Sequence, residues 1–230
     1  LLLFSTMRIR YFTTLQYPST FANRTQVIKM SEAFSGVSDF ILYVDDIQLT
    51  LPELFHFYGV RKQFEIKTMK FVAKKARALR AALVYKKVVK ESSEDTAFYV
   101  REGLLAFYLL LVSRRFRNNF FYEMHSFTRH KKIIYRIVCY FARGVVSTSE
   151  SKAEVLRNAF RVSHERILVA PNVLDPVDFE NIISRDDARK ALNILSNKPA
   201  VVFTGKPESL RGIDLILELA VRVGEKINIK

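Results

Sequence analysis

Two cations flank a short loop near the end of the chain. The segment Val201-Val202-Phe203-Thr204-Gly205-Lys206-Pro207-Glu208-Ser209-Leu210-Arg211-Gly212-Ile213-Asp214 reads as strand, loop and helix. Gly205 lets the backbone turn sharply and approach a ligand. Lys206 and Arg211 add positive charge beside a helix N-terminus, whose unpaired N–H groups and dipole also attract anions. Together they suit a diphosphate. The same residues also fit an ordinary strand-to-helix turn with two solvated cations. A second candidate is His125, which closes the run Phe121-Tyr122-Glu123-Met124-His125. That run reads as a central strand, so His125 is expected at the carboxyl edge of a sheet, where parallel sheets place their sites. The competing reading is a hydrogen-bonded structural histidine. His130 sits among Arg129, Lys131 and Lys132 and reads as solvated, while His56 and His164 have no evident partner. No His/Cys cluster has metal-ligand spacing, so no protein-held zinc is expected.

A frame must hold these groups. Short runs rich in β-branched and aromatic residues recur at Ile9–Thr14, Phe40–Val44, Phe64–Met69, Ala97–Val100, Phe120–Met124, Val145–Thr148, Ile167–Ala170 and Ala200–Thr204. Longer segments with helical spacing separate most of them. Val27, Met30 and Phe34 form one apolar stripe. Val72, Ala76, Leu79 and Leu83 form a second, Ile133, Ile137 and Tyr140 a third, and Val155, Leu156 and Ala159 a fourth. Strands alternating with helices predict an α/β fold, a parallel sheet covered on both faces. The rhythm breaks over residues 171–198, a segment with Pro171 and Pro176, an acidic and polar middle, and Pro199 just after it. A boundary there gives an expected first domain over residues 7–172 and a second over 173–230. Residues 188–195 are expected to form a short helix, 211–224 a longer one and 227–230 the start of a strand. One strand, one helix and a fragment cannot enclose a core, so the second domain reads as truncated.

The totals narrow the function. The chain has 230 residues and a formal charge of +14. Such charge attracts nucleic acid, phosphorylated ligands or an anionic membrane surface. It is concentrated early. Between Arg61 and Lys90 stand eleven Lys/Arg and one acid, Glu65; between Arg101 and Arg143 stand nine Lys/Arg and two acids, Glu102 and Glu123. Phe71–Lys90 and Arg129–Arg143 therefore offer either solvated helix faces or a surface for anionic lipid. The longest uncharged apolar run, Gly103–Ser113, is too short to span a bilayer and reads as a buried helix. The lone Cys139 forms no internal disulfide, which fits a reducing compartment. The start lacks the basic lead of a signal peptide, and Met7 reads as the natural start with six residues of read-through before it. A cytoplasmic protein, peripheral on the inner face of a membrane, is the expected setting.

The segment from Val201 to Asp214 resembles the start of the donor domain of family-four glycosyltransferases, with Lys206 where that family has Arg and Arg211 where it has Lys. Val145–Ser149 with Glu150 resembles the family's strand ending in Thr-x-Ser-Glu. Ala170-Pro171-Asn172-Val173-Leu174-Asp175 resembles its Pro-Asn-Gly-Val-Asp hinge, with Val173 replacing the glycine. Tyr17-Pro18-Ser19 through Ala22-Asn23-Arg24-Thr25-Gln26-Val27 resembles the segment after the first strand in a subset of these enzymes. The resemblance covers nearly everything from Met7 onward. It implies a GT-B architecture, a Rossmann-like N-terminal domain followed by the start of a second one. It implies glycosyl transfer from a nucleotide diphosphate sugar to a glycan or lipid-linked acceptor, retaining and without a metal or other cofactor. In that reading Gly205, Lys206 and Arg211 bind the donor diphosphate and His125 contacts sugar or acceptor. Ser19, Asn23, Arg24 and Gln26 form an acceptor-side loop, and Asn172 marks the hinge. The family's paired glutamates belong further along, so the fragment is expected to be inactive alone. Two other readings compete: a sugar-nucleotide epimerase of the same architecture, and a basic nucleic-acid-binding module. Against the latter, no nucleic-acid motif or repeat is found, and nucleic acid is not an expected partner.

Overall fold

The computed structural model describes residues 7–71, 76–125, 131–172, 180, 182–194, 200–202, 212–223 and 228–229. The chain divides into two compact units, Leu1–Asn172 and Val173–Lys230.

The first unit is built on a sheet of seven strands, every pair parallel. In chain order its elements are β1 (Arg8–Phe12), β2 (Gln16–Tyr17), α1 (Ala22–Val37), β3 (Asp39–Val44), β4 (Asp46–Ile47), α2 (Leu51–Phe57) and β5 (Glu65–Thr68). There follow α3 (Arg77–Glu91), β6 (Thr96–Val100), α4 (Gly103–Val112), α5 (Arg114–Asn118), β7 (Phe120–Met124), α6 (Lys132–Phe141), β8 (Gly144–Ser147), α7 (Glu150–Phe160) and β9 (Ile167–Val169). The strand order is β5-β3-β1-β6-β7-β8-β9, with β2 and β4 forming a two-residue ladder beyond β1 and β3.

Alternation along each strand sorts side chains onto two faces. Ile9, Tyr11, Phe40, Leu42, Val44 and Tyr99 face the helices α1 and α2. Phe12, Ile41, Tyr43, Phe98, Val100, Phe120 and Tyr122 face the layer formed by α3 to α7. Phe12 anchors that second core. Its ring stacks on Tyr85 at 4.5 Å and meets Phe98 and Tyr43 at 5.6 and 5.3 Å. Local signals start several helices. A capping box of Thr50 and Glu53 opens α2, and the hydroxyls of Ser113 and Ser149 cap α5 and α7.

The strand runs expected from sequence all form, in the expected order; of Ala200–Thr204 only the first two residues are described as strand. Two helix stripes need correction. The buried side of α3 is Ala81, Ala82, Tyr85 and Val89, whereas Leu83 is exposed. Ala76 lies ahead of the helix in a left-handed conformation. On α6 the buried residues are Val138 and Cys139, whereas Ile133 and Tyr140 point outward. Both helices carry apolar residues on more than one side, and spacing alone does not say which side meets the sheet. Gly103–Ser113 is likewise not wholly buried, because Leu111 is exposed.

In the second unit, α8 (Arg185–Ala191) is followed by β10 (Ala200–Val201), α9 (Ile213–Val223) and β11 (Asn228–Ile229). The two strands pair in parallel.

Candidate functional site

The strand order reverses between β1 and β6. From β1 the chain moves outward to β3 and β5, then returns to place β6 on the other side of β1. Such a reversal leaves a crevice at the carboxyl ends of the two strands, because their connections depart in opposite directions. Thr13 and Thr14 follow β1, and Arg101 and Glu102 follow β6, so these four residues border the crevice. The Glu102 carboxylate accepts hydrogen bonds from both threonine hydroxyls and from the Thr14 backbone N–H, the last at 2.9 Å. Glu102 is also the N-cap residue of α4. One carboxylate thereby fixes the exit of β1 to the start of a helix.

Arg101 turns the other way, toward α1. Its guanidinium donates to Gln26 Oε1 at 2.7 Å and to the Asn23 carbonyl at 3.4 Å. Its Nε lies 3.8 Å from Glu123 Oε1, with the two side chains 8% and 2% exposed. Glu123 accepts a further bond from the Tyr99 hydroxyl at 3.1 Å. Burial pushes the Glu123 carboxyl above its ordinary value, and the Arg101 charge opposes that rise. Gln26 donates from its amide to Asn172 Oδ1. The structure thus joins two residues expected at the site, Gln26 and Asn172, directly, and ties Gln26 through Arg101 to Glu123, two residues that sequence reading passed over. A signal was present: Glu123 is a charge inside an apolar strand run, and such a group needs a partner when buried.

His125 follows the last residue of β7 at the carboxyl edge, half-buried. Its Nδ1 is buried and meets no hydrogen-bond partner among the described residues. Burial, then the charges of Arg101 and Lys152, lower its pKa from 6.5 to about 4. Lys152 lies in the first turn of α7 and donates to Thr148 Oγ1 at 2.6 Å. His125 is therefore neutral at pH 7 and presents an imidazole nitrogen rather than a cation. The linkage has a definite sign. A histidine whose folded pKa is depressed resists protonation in the folded state only, so it contributes stability above about 6.5 that is lost as pH falls toward 4. An NMR titration of the His125 ring is expected to show a midpoint near 4, and His125→Gln is expected to flatten the fall in melting temperature across that window. A ring midpoint at the ordinary histidine value would contradict this.

The remaining expected residues divide. Asn23, Arg24 and Gln26 do not belong to a loop, as the sequence reading had it; they lie in the first two turns of α1, which begins at Ala22. Ser19 does lie in the preceding loop, where its backbone N–H and C=O bond the Tyr58 hydroxyl, each at 2.8 Å. Arg24 donates to Asn23 Oδ1 and rests over the Phe21 ring. Gly205, Lys206 and Arg211 lie outside the described residues. Among the described residues no group of three His, Cys, Asp or Glu could hold a metal ion, and no helix is long and apolar enough to cross a membrane.

No family model matches the chain, and no curated protein matches its sequence. Solved structures do match its fold. A glycosyltransferase from Rickettsia africae ESF-5 aligns with 99% of the chain at a TM-score of 0.64 and 12% identity. HepE from Anabaena, solved in complex with UDP, aligns with 97% at 0.69 and 14% identity. Sucrose-phosphate synthase from Thermosynechococcus elongatus aligns with 97% at 0.66 and 13% identity. The chain spans 68, 60 and 61% of these three proteins, respectively. Its fold is the GT-B-type, Rossmann-like α/β fold of these glycosyltransferases.

Proposed function

We propose that this chain forms the acceptor-side part of a glycosyltransferase that moves a sugar from a nucleotide diphosphate sugar to a glycan or lipid-linked acceptor, with retention of anomeric configuration. The observation that carries the reading is a neutral His125 at the carboxyl edge of the interior strand β7, flanked by Arg101 and Lys152, within a fold that glycosyltransferases share. A neutral imidazole there can exchange hydrogen bonds with sugar hydroxyls without adding charge beside two cations. Gln26, Asn23 and Arg24 line the acceptor side from α1, Ser19 from the loop before it, and Asn172 serves as the hinge. In this reading Gly205 admits the diphosphate, and Lys206 with Arg211 offsets the negative charge that develops on the departing nucleotide. Two side-chain cations then take the part a metal ion plays elsewhere, so no metal cofactor is required. HepE, one of the proteins of like fold, was solved with UDP, which supports a nucleotide sugar as donor. Because the chain spans only 60 to 68% of such proteins, residues 1–230 alone are expected not to complete the transfer. The setting is cytoplasmic, on the inner face of a membrane.

The test is transfer of radiolabelled sugar by the protein that carries this chain, with a panel of nucleotide diphosphate sugars and glycan or lipid-linked acceptors. Transfer is expected to survive EDTA. Replacing His125 by Ala is expected to lower kcat/KM about a hundredfold, the usual loss when a substrate is misplaced by an ångström. Epimerised donor without transfer, or a His125→Ala variant as fast as the parent, would overturn the proposal.

A further inference from the structure

The helical layer over the second core has an unusual outer side. On α4 Leu111 is exposed, Leu104 is half-buried, Phe107 and Tyr108 are half-buried and packed against the core, and every residue of that helix is uncharged. Leu111 is 59% exposed. On α6, Ile133 and Tyr140 are 76% and 72% exposed, with Phe141 beside them. Arg117 stitches the two helices together: its Nε donates to the Leu110 carbonyl at 2.7 Å while its guanidinium lies over the Phe141 ring. Leu111 and Phe141 therefore belong to one patch. Around it stand the exposed Arg114, Lys132, Arg136 and Arg143. On the flank, α3 presents Lys86, Lys87 and Lys90, and Arg115 ties α5 to the end of α3 through the Lys90 carbonyl. Among α3, α4, α5 and α6, Glu91 is the one acid.

We infer that the outer faces of α4 and α6 rest in the headgroup region of an anionic lipid bilayer, with the cations of α3, α5 and α6 over the phosphates. The inference rests on the membrane setting proposed above and names the surface that makes the contact. Apolar side chains ringed by cations are what an interfacial helix needs. A second copy of the chain is a poor occupant, because pairing this face with itself would bring like charges together. These helices are too short to span, so contact lies in the membrane plane. The patch also departs from the sequence expectation, since Ile133 and Tyr140 were expected to pack inward.

Flotation of the chain with vesicles of phosphatidylcholine alone, and of phosphatidylcholine mixed with phosphatidylglycerol, tests this. Binding to the mixed vesicles only, weakening with salt, is expected. The triple variant Leu111→Ser, Ile133→Ser, Tyr140→Ser is expected to lower the bound fraction roughly tenfold without changing the melting temperature. Equal binding to both vesicle types would overturn the inference. So would wild-type binding by the triple variant, preference for polyglutamate over vesicles, or a concentration-dependent dimer that the triple variant abolishes. In the protein that carries this chain, transfer to a water-soluble acceptor is expected to be unaffected by the same substitutions, so failure of the transfer reading and failure of the lipid contact are told apart.

Discussion

Replacing Arg101 by Ala is expected to destabilise the first unit by about 3 to 5 kcal/mol, the loss typical when one partner of a buried ion pair is removed. The reason is what stays behind. Glu123 is almost fully buried, and its Oε1 has the Arg101 charge nearby but no hydrogen bond of its own. Without Arg101 that carboxylate is left with the Tyr99 hydroxyl alone among the bonds described above. Its pKa, already raised by burial, rises further. A carboxyl whose folded pKa is raised is favoured when protonated, so the variant's deficit shrinks at low pH and grows as pH climbs above the ordinary value of 4.5. Adding Glu123→Gln to Arg101→Ala is expected to recover much of the loss, since a neutral amide is cheaper to bury than an unpaired charge. Denaturant melts of the two single variants and the double at two pH values decide the matter. A double variant as unstable as Arg101→Ala would show that the guanidinium acts through Gln26 and Asn23 instead.

Phe12→Ala is expected to cost a similar 3 to 5 kcal/mol or so, the usual range for a large-to-small change at a packed aromatic site. Phe12 is fully buried and touches rings from three other elements. One of them, Tyr85, donates its hydroxyl to the Thr13 carbonyl at 2.6 Å and to the Tyr43 carbonyl at 3.2 Å. A cavity at position 12 therefore frees the ring that holds the exit of β1. Leu111→Ser supplies the control. It removes an apolar side chain from an exposed position and is expected to shift stability by no more than about 0.5 kcal/mol. Equal losses for the two would mean that the layer assignment is wrong.

The strands were legible because each is a short apolar run rich in β-branched and aromatic residues, and a buried parallel strand has few other ways to read. The ladder of β2 and β4 was not, because two residues leave no period to detect. Helix positions were legible, but helix faces were not. Ile133, Ile137 and Tyr140 keep helical spacing, yet of the three only Ile137 packs against the core, beside the buried Val138 and Cys139. The place of His125 at the carboxyl edge of β7 was legible because the run before it reads plainly as a strand. Arg101 and Glu123 were missed because their partnership joins residues from neighbouring strands, and strand order is a property of the fold rather than of local sequence. Gln26 was expected in a loop and lies in a helix.

The position of β1 carries a consequence for synthesis. Its first neighbour, β3, emerges soon after it, but its second, β6, begins only at Thr96. At ribosomal speeds of about 5 to 20 residues per second, the chain between Phe12 and Val100 takes roughly 4 to 18 s to appear. Throughout that interval one side of β1 is an open template for stray strands. Its sequence, Arg-Ile-Arg-Tyr-Phe, sets a guanidinium at each of the first two alternate places, and like charges along an unfinished border discourage adhesion between nascent copies. Arg8 and Arg10 thus serve the newborn polypeptide before they meet Asp39 in the finished one.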